Sequence, residues 1–197
     1  MDSTEVKAWR RGERARLIAL RMALPPATRR ADGERIAASV QEIVAARAGL
    51  LGIYWPFRAE FDPRPLVDGL VAAGRQVALP VVIDKKGPLE YRAWAPGDPL
   101  VAGVWDIPIP ERREIVTPSM VLAPVVGFDR GCYRLGYGGG YFDRTLAALA
   151  PKPFAIGVGF AMQAIATIYP QPFDVVMDLI VTETGTRPAP SSTSGGG

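Results

Sequence analysis

Apolar residues recur at helical spacing near the amino terminus, and this pattern predicts two successive helices. The first is expected at residues 4–23, where Asp2 and Glu5 have the spacing of a capping box and a pair of prolines follows the apolar pattern. The second is expected at residues 28–47, with its apolar side chains on one face. Each helix therefore has an apolar side to bury against another layer of the protein.

Farther along the chain the pattern changes to short apolar runs between polar or proline-rich segments, which is typical of strands. The expected strands lie at residues 50–55, 76–83, 89–94, 120–126, 154–160 and 175–182. Two more helices are expected at residues 63–73 and 141–149. The stretch 95–118 is rich in proline and charge, so we expect a long surface loop there.

Strands that alternate with helices favour the α/β class with a largely parallel sheet. We predict a single three-layer domain over residues 1–186, in which a mostly parallel sheet is flanked by helices. Residues 187–197 are rich in Pro, Ser and Gly, and we expect them to form a disordered tail. In such a sheet, ligands bind at the carboxyl ends of the strands.

Composition limits the chemistry that this chain can perform, because it contains no histidine and one cysteine, Cys132. Histidine-based triads and His-ligated zinc are excluded, so a divalent metal would need oxygen ligands, which favours Mg²⁺ or Mn²⁺. A lone cysteine excludes a disulfide framework and fits a reducing compartment, so we expect a cytoplasmic location. The sequence shows neither a secretory signal nor an apolar run approaching the ~18 residues of a membrane span, so no membrane partner is expected.

The most informative pattern is glycine-rich, with six glycines among residues 127–140. Glycine lets backbone N–H groups converge on an anion, and the expected helix that follows presents its positive end to the same place. Arg134 adds a forked donor suited to phosphate, and Asp143 could hold a metal that bridges phosphates. The alternative is a flexible surface loop. The pattern is not a Walker A loop, because no Gly-Lys-Ser/Thr follows, and no acid is clearly placed for a dinucleotide fingerprint.

Charged residues elsewhere also suggest ligand contacts. Arg10, Arg14 and Arg21 are separated by four and seven residues, and such positions fall within ~40° of one another on a helix. They could contact phosphates from one side, or they could form a solvated helix face. Asp178 lies within an apolar run, where an ionised carboxylate is costly unless it is paired or bound to a cation. The alternative for Asp178 is an exposed strand position.

The run from Arg134 to Arg144 resembles the signature of the 5-formyltetrahydrofolate cyclo-ligase family. The resemblance extends over residues 5–184 and includes the basic first helix, the turn at Glu60 and an Asp-x-x-x-Thr-Glu pattern that begins at Asp178. It implies that ATP and 5-formyltetrahydrofolate are converted to 5,10-methenyltetrahydrofolate, ADP and phosphate. The formyl oxygen would attack the γ-phosphate, N10 of the folate would attack the formyl carbon, and phosphate would leave as the ring closes.

The resemblance also implies roles for individual residues. Catalytic roles fall on Arg134 and Tyr141, and the Mg²⁺ ligands would be Asp143 and Asp178. The residues expected to bind ATP are Arg10, Arg14, Arg134, Leu135, Gly136, Tyr137, Gly138, Gly139, Gly140, Tyr141 and Phe142. The residues expected to bind the folate are Trp55, Glu60, Tyr137, Gly138, Gly139, Gly140 and Tyr141.

The segment after the first expected strand has the residue types that a pteridine ring needs. Trp55 and Phe57 could supply flat apolar walls, and Glu60 could accept hydrogen bonds from the ring's amino groups. The alternative is a core tryptophan beside a surface glutamate. The chain departs from the family's pattern at Trp55, where relatives have an aliphatic residue, at Arg10, where they have lysine, and at Phe173, where histidine is frequent.

Two other functions fit parts of the sequence. The departures suggest a cyclo-ligase-like paralogue that binds nucleotide but acts on a different substrate. The arginine-rich first helix and the net charge of +3 suggest a non-catalytic module that binds nucleotide or RNA. Nucleic acid is disfavoured because basic residues are not concentrated beyond the first 35 positions. The expected partners are therefore ATP and a reduced folate, and no obligate protein partner is evident.

Overall fold

The structure is a computed structural model that describes residues 2–190. The helices are α1 (Ser3–Met22), α2 (Pro26–Ala45), α3 (Arg64–Ala72) and α4 (Tyr141–Ala148). The strands are β1 (Leu51–Gly52), β2 (Val77–Val82), β3 (Leu89–Ala93), β4 (Leu100–Ala102), β5 (Pro108–Pro110), β6 (Met120–Pro124), β7 (Gly127–Phe128), β8 (Arg134–Leu135), β9 (Phe154–Val158), β10 (Leu179–Thr182) and β11 (Gly185–Pro188). Single turns of 3-10 helix lie at Val104–Asp106 and Ala161–Gln163.

The main sheet has seven strands in the order β11-β10-β9-β6-β1-β2-β3. The five inner strands, β10, β9, β6, β1 and β2, run parallel to one another, and each outer strand, β11 or β3, pairs antiparallel with its neighbour. Two small hairpins, β4–β5 and β7–β8, lie outside this sheet. The predicted class, an α/β domain with a mostly parallel sheet, is confirmed.

Alternate residues of the parallel strands point to opposite faces of the sheet, and helices cover both faces. One face packs against α2 and α3 through buried aliphatic side chains such as Leu51, Leu122 and Ile156. The other face carries smaller residues and packs against Leu146 of α4 and the β7–β8 hairpin. Helix α1 belongs to a third cluster at the carboxyl ends of the strands, where Leu17 contacts the start of that hairpin.

The capping box predicted at the start of α1 is present. The Asp2 carboxylate accepts hydrogen bonds from the amides of Thr4 (2.7 Å) and Glu5 (2.9 Å), and the Asp2 amide donates to the Glu5 carboxylate at 2.7 Å. These bonds satisfy N–H groups that a helix end leaves without partners. Helix α1 therefore begins at a position that its own local sequence specifies.

Several expected element boundaries were wrong because tertiary pairing, and not apolar character, decides where a ladder ends. The run at 50–55 contributes only β1 to the sheet, and the run at 175–182 pairs as β10 only from Leu179. The loop expected at 95–118 contains the β4–β5 hairpin. The disordered tail expected from residue 187 was wrong at its start, since Arg187 and Pro188 belong to β11. Residues 191–197 of that tail lie outside the described residues.

No helix within residues 2–190 combines the length and the apolar content needed to cross a membrane.

Glycine at position 52 is required by the close packing of the central strand. A Cβ atom there would lie 2.6 Å from the ring of Tyr91, which is buried on β3, two strands away in the same sheet. We expect Gly52→Ala to lower the free energy of unfolding by about 1–3 kcal/mol. The matched control is Gly12→Ala on the exposed side of α1, where a Cβ meets no atom within 4 Å.

In the control, Gly12→Ala, alanine replaces a glycine within a helix, so the free energy of unfolding should rise by about 0.5–1 kcal/mol. Urea denaturation of both variants measures the two effects. Equal stability of the two variants would contradict the packing argument.

Candidate active site

The glycine-rich segment leaves the carboxyl end of β6 and returns toward the sheet as α4. Its first part is the β7–β8 hairpin, which the buried carboxylate of Asp129 holds together. That carboxylate accepts hydrogen bonds from the amides of Gly131 (2.9 Å), Tyr133 (3.2 Å) and Ile168 (3.0 Å). The loop is therefore anchored at its base, and residues 136–140 form its open part.

The open part of the loop needs glycine for two physical reasons. Gly138 and Gly140 have φ of 99° and 67°, a backbone region that side chains disfavour. A Cβ on Gly138 would also lie 3.3 Å from the guanidinium carbon of Arg14. Gly140 directly precedes α4, and no side chain caps the first turn of that helix. The loop thus presents backbone N–H groups and a helix N-terminus at the carboxyl edge of the sheet, a geometry suited to an anion.

Arg14 is the arginine best placed to meet an anion at this loop. Its Nε donates to the Gly136 carbonyl at 2.7 Å, which holds the guanidinium group over Gly138. The side chain is half-buried, and within residues 2–190 its two Nη groups donate to no protein acceptor. Burial and the neighbouring Arg10 hold the pKa of Arg14 below its ordinary value without removing its charge in the neutral range.

Arg10, predicted to contact ATP, is committed to protein partners instead. Its Nε donates to the Ile168 carbonyl (2.9 Å), and its Nη groups donate to the Tyr169 carbonyl (3.0 Å) and to both carboxylate oxygens of Asp174. Arg10 is 7% exposed, and the side chain of Asp174 is equally enclosed. A phosphate could reach Arg10 only if these bonds were exchanged, so the structure gives this residue the geometry of a clamp on the 168–174 loop.

Arg134 is also enclosed rather than open to a ligand. It is 5% exposed, its Nη2 donates to the Asp143 carboxylate at 2.8 Å, and its Nε has no hydrogen-bond partner among the described residues. The other oxygen of Asp143 accepts the amide of Val175 at 3.1 Å. Burial lowers the pKa of Arg134, and Asp143 opposes that effect. This ion pair fastens β8 to the first turn of α4 and thereby fixes both ends of the glycine loop.

Glu60 lies in a turn with an unusual backbone, close to Tyr137 of the glycine loop. Arg58 and Ala59 have φ of 47° and 58°, and this turn lets one oxygen of Glu60 accept the amide of Phe57 at 2.9 Å. The second oxygen, Oε1, is buried and has no hydrogen-bond partner among the described residues. Burial raises the pKa of Glu60 to about 7, against the lowering influence of Arg21. A buried acceptor without a partner is what a ligand-binding carboxylate requires before its ligand arrives.

Aromatic side chains surround this carboxylate and the loop. The exposed rings of Phe57 and Tyr137 pack against each other with centroids 5.9 Å apart. Trp55 is half-buried against Trp94 (6.2 Å) and under the guanidinium of Arg64 (4.5 Å), so it is bound into the core at one side. The exposed rings available to a flat ligand are therefore those of Phe57 and Tyr137, which are tilted by 59° to each other, while Trp55 packs against Trp94.

Sequence reasoning missed a second aromatic contact at the loop. Trp105, which follows β4, is 64% exposed and meets the ring of Tyr141 edge-on at 5.9 Å. Its φ of 58° places it in the left-handed region. The proline-rich composition of this stretch did not reveal that it folds back toward the glycine loop. The available signal was a tryptophan, Trp105, within a proline-rich segment, between Pro99 and Pro108.

The two acids predicted as metal ligands belong to different hydrogen-bond networks. Asp143 lies at the glycine loop, whereas Asp178 lies at the start of β10 and accepts the amide of Ala155 at 2.8 Å, at the amino end of the sheet. Within the described part of the chain, no group of three or more His, Cys, Asp or Glu side chains is placed to hold a metal. Asp143 alone therefore fits a Mg²⁺ ion that takes its other ligands from phosphate and water. The role of Asp178 stays a prediction.

A surface cavity of about 410 Å³ lies at the opposite edge of the sheet between α2 and α3. Its lining includes Gln41, Gly69 and Arg75, and it contains none of the buried polar atoms that lack a partner. The carboxyl edge has both the open acceptor of Glu60 and the anion geometry of the loop. We therefore place the functional site at the carboxyl edge, where parallel sheets bind their ligands.

These features define an α/β protein whose carboxyl edge combines a glycine loop of a geometry suited to an anion with a buried carboxylate beside Tyr137 and the Phe57 turn. The sequence model of the 5-formyltetrahydrofolate cyclo-ligase family matches residues 6–183, and the chain belongs to that family.

Curated relatives agree with this membership, and a solved structure has the same fold. The chain is 28% identical to the 5-formyltetrahydrofolate cyclo-ligase of Escherichia coli over 170 residues, covering 82% of this chain and 93% of the relative. It is 29% identical to that of Mycolicibacterium smegmatis over 177 residues, covering 86% and 91%. The NMR structure of Aquifex aeolicus 5,10-methenyltetrahydrofolate synthetase superposes with a TM-score of 0.82 at 24% identity, covering 95% of this chain and 96% of that one. At that identity the superposition demonstrates the shared fold.

The buried carboxyl of Glu60 should make stability depend on pH. Its pKa rises from 4.5 to about 7 on folding, so the folded state gains relative stability below pH 4.5 and loses it as pH rises through 7. This shift corresponds to about 3 kcal/mol. We expect the stability of the wild-type protein relative to Glu60→Gln to fall by about that amount between pH 4.5 and pH 8, measured by urea unfolding.

The matched control is Glu42→Gln on the exposed side of α2, which leaves the buried network intact. Its stability difference from the wild-type protein should stay nearly constant over the same range. A constant difference for Glu60→Gln as well would show that this carboxyl is not buried as described.

Proposed function

We propose that this chain is a ligase that converts 5-formyltetrahydrofolate to 5,10-methenyltetrahydrofolate with hydrolysis of ATP to ADP and phosphate. The observation that carries the proposal is the open, buried oxygen of Glu60 beside the glycine loop at one edge of the sheet. One half of this site suits a ring with N–H donors, and the other half suits phosphate. Family membership supports the same pairing of folate and nucleotide.

The nucleotide's phosphates would lie at residues 136–140. Backbone N–H groups of the loop and of the uncapped N-terminus of α4 would donate hydrogen bonds to the phosphate oxygens there. The free Nη groups of Arg14 would bind phosphate oxygens directly. Arg134 would act on the reaction by holding the loop and Asp143, since it is enclosed. Phosphoryl transfer depends mainly on such positioning and charge neutralisation, so the absence of histidine from the sequence is compatible with it.

A divalent cation bound with the nucleotide would supply further neutralisation of phosphate charge. Asp143 fits as the protein ligand because it lies at the first turn of α4 beside the phosphate region, and Mg²⁺ commonly uses one or two carboxylates with phosphates and water. Its ion pair with Arg134 holds the carboxylate in position. Asp178 would need a different arrangement of the 173–178 segment to join the same ion.

The folate would bind with its pteridine ring against Phe57 and Tyr137 and with ring N–H groups donating to Glu60. This pose directs the 5-formyl group toward the loop. The formyl oxygen takes the γ-phosphoryl group and ADP leaves. N10 then bonds to the formyl carbon and loses its proton, and the carbon–oxygen bond breaks as phosphate departs. Tyr141, at the start of α4, would line the junction between the two substrates. A cytoplasmic location fits this role and the single, free Cys132.

The proposed reaction is tested by the absorbance of the methenyl product. With purified protein, Mg²⁺, ATP and 5-formyltetrahydrofolate, we expect the methenyl band to grow only when ATP is present. EDTA should abolish the growth, and added Mg²⁺ should restore it. Nucleotide binding without methenyl formation would replace the proposal with a paralogue that acts on another substrate, for which the departures at Trp55 and Arg10 provide a structural basis.

The assignment of Arg14 predicts a specific kinetic defect. Arg14→Met removes the free guanidinium donors but leaves the loop's own anchors, so we expect KM for ATP to rise at least tenfold, a loss of about 1.4 kcal/mol or more. KM for the folate should change less than about twofold. The control is Arg16→Met, because Arg16 is exposed on the same helix and pairs only with Glu13. An unchanged KM for ATP in Arg14→Met would refute the phosphate contact.

A further inference from the structure

Arg21 is the largest fully buried side chain of the protein's described residues, and it is 1% exposed. A guanidinium group is stable in such a place only when its donors have partners. Its Nε donates to the Arg58 carbonyl (3.0 Å), Nη1 to the Val125 carbonyl (3.2 Å) and Nη2 to the Tyr137 hydroxyl (2.7 Å). One side chain of α1 thus connects the Glu60 turn, the carboxyl end of β6 and the glycine loop.

The relation between Arg21 and Glu60 differs from an ordinary ion pair. Nη2 of Arg21 lies 3.9 Å from Oε1 of Glu60, which is close enough for charge attraction and too far for a hydrogen bond. Oε1 therefore feels a positive charge while its lone pairs stay open. Three of the five N–H groups of Arg21 donate to two carbonyl groups and to Tyr137, so the guanidinium group cannot rotate to close on the carboxylate without breaking those bonds.

We propose that Arg21 is a positioning residue of this site, which holds the Glu60 carboxylate charged and open and holds Tyr137 against the Phe57 turn. The identity of the ring that meets Glu60 rests on the proposed function, whereas the coupling of Arg21 to Glu60 does not. The geometry makes Arg21 act on ligand binding through two other residues, without touching the ligand itself. This role gives a reason for the burial of the Arg21 charge, because a residue on the exposed face of α1 could not contact the Glu60 turn and the glycine loop together.

Other groups that face Glu60 act in different directions. Tyr137 hydrogen-bonds to the Phe57 carbonyl at 3.4 Å, and its hydroxyl still lies near enough to lower the pKa of Glu60, as does the Phe57 amide. Tyr54, from the segment after β1, donates its hydroxyl to the Phe61 carbonyl at 2.8 Å. Burial raises the pKa of Tyr54 and Tyr137, so neither carries charge in the neutral range. The positive charge that opposes the burial of Glu60 comes from Arg21.

The decisive variants separate the charge of Arg21 from its hydrogen-bond geometry. Arg21→Met removes both, whereas Arg21→Lys keeps the charge but cannot donate to three separated acceptors. The titration midpoint of Glu60 is followed by NMR of protein labelled with ¹³C at the glutamate carboxyl, with the signal identified by its loss in Glu60→Gln. We expect the midpoint to rise by about one pH unit or more in Arg21→Met and to stay near its wild-type position in Arg21→Lys.

Kinetics supply the second measurement. At pH 7 we expect KM for the folate to rise about tenfold in Arg21→Met, because Glu60 becomes mostly neutral and Tyr137 loses its anchor. KM for ATP should change less than about twofold. Arg21→Lys should show an intermediate rise in KM for the folate, because Tyr137 alone is affected. Arg16→Met serves as the control for loss of an arginine from the same helix.

A purely structural role for Arg21 is tested with Leu17→Ala, which removes a fully buried side chain one turn earlier on the same face of α1. We expect Leu17→Ala to lower the melting temperature without moving the Glu60 midpoint. If Arg21→Met does the same, the proposal is overturned. If Arg21→Met fails to fold, Arg21→Lys is the deciding variant. A rise of the Glu60 titration midpoint by one pH unit or more in Arg21→Lys would contradict the proposed charge effect. An unchanged midpoint together with a raised KM for the folate would support the proposal.

The titration also separates this inference from the proposed function. A shifted Glu60 midpoint in Arg21→Met, together with no methenyl formation by the wild-type protein, would establish the coupling and reject the folate reaction. Wild-type turnover with an unshifted midpoint would retain the reaction and reject the role of Arg21.

Discussion

The architecture of the site depends on how buried guanidinium groups are satisfied at the carboxyl edge of the sheet. Arg21, Arg10 and Arg134 are each almost completely enclosed, and each directs donors to acceptors that the protein supplies, although Nε of Arg134 has no partner among the described residues. Those acceptors lie in the Glu60 turn, the 168–174 loop and the first turn of α4. Because an unpaired buried charge is strongly destabilising, satisfying these arginines also fixes the loops that surround the site.

Once its ends are fixed, the glycine loop can remain open in the middle without being disordered. Asp129 closes the hairpin at one end, and the Arg134–Asp143 pair closes the other. Four of the five residues 136–140 are glycine, so backbone N–H groups and the N-terminus of α4 provide most of the polar surface there. The Nε bond of Arg14 to Gly136 adds positive charge at this surface while leaving other donors free. Rigid anchors around a bare backbone are the arrangement that binding of phosphate favours.

The two halves of the site have opposite electrostatic character. The loop half is positive and has hydrogen-bond donors without protein partners among the described residues. The Glu60 half presents one acceptor within an aromatic and largely enclosed region. Burial and Arg21 act on this acid in opposite directions, and their balance sets its pKa near 7. Two residues expected to depart from the family's pattern, Arg10 and Trp55, are held by other parts of the protein. Arg10 clamps the 168–174 loop through Asp174, and Trp55 packs against Trp94.

Features that follow from local sequence patterns could be predicted without a structure: the helices, the capped start of α1, the mostly parallel sheet and the glycine loop after β6. Which charged side chains are enclosed and which keep free donors depends on the tertiary structure. Arg10 and Arg14 lie one turn apart on the same helix. Asp174, 164 residues from Arg10, binds the guanidinium group of Arg10, whereas the Nη groups of Arg14 stay free within the described residues. The burial of Glu60, the contacts of Arg21, the separation of Asp143 from Asp178 and the pairing of β11 likewise depend on segments that meet only after folding. Local periodicity carries no information about these tertiary contacts, because the desolvation and ion pairing of a side chain depend on its whole environment in the folded protein.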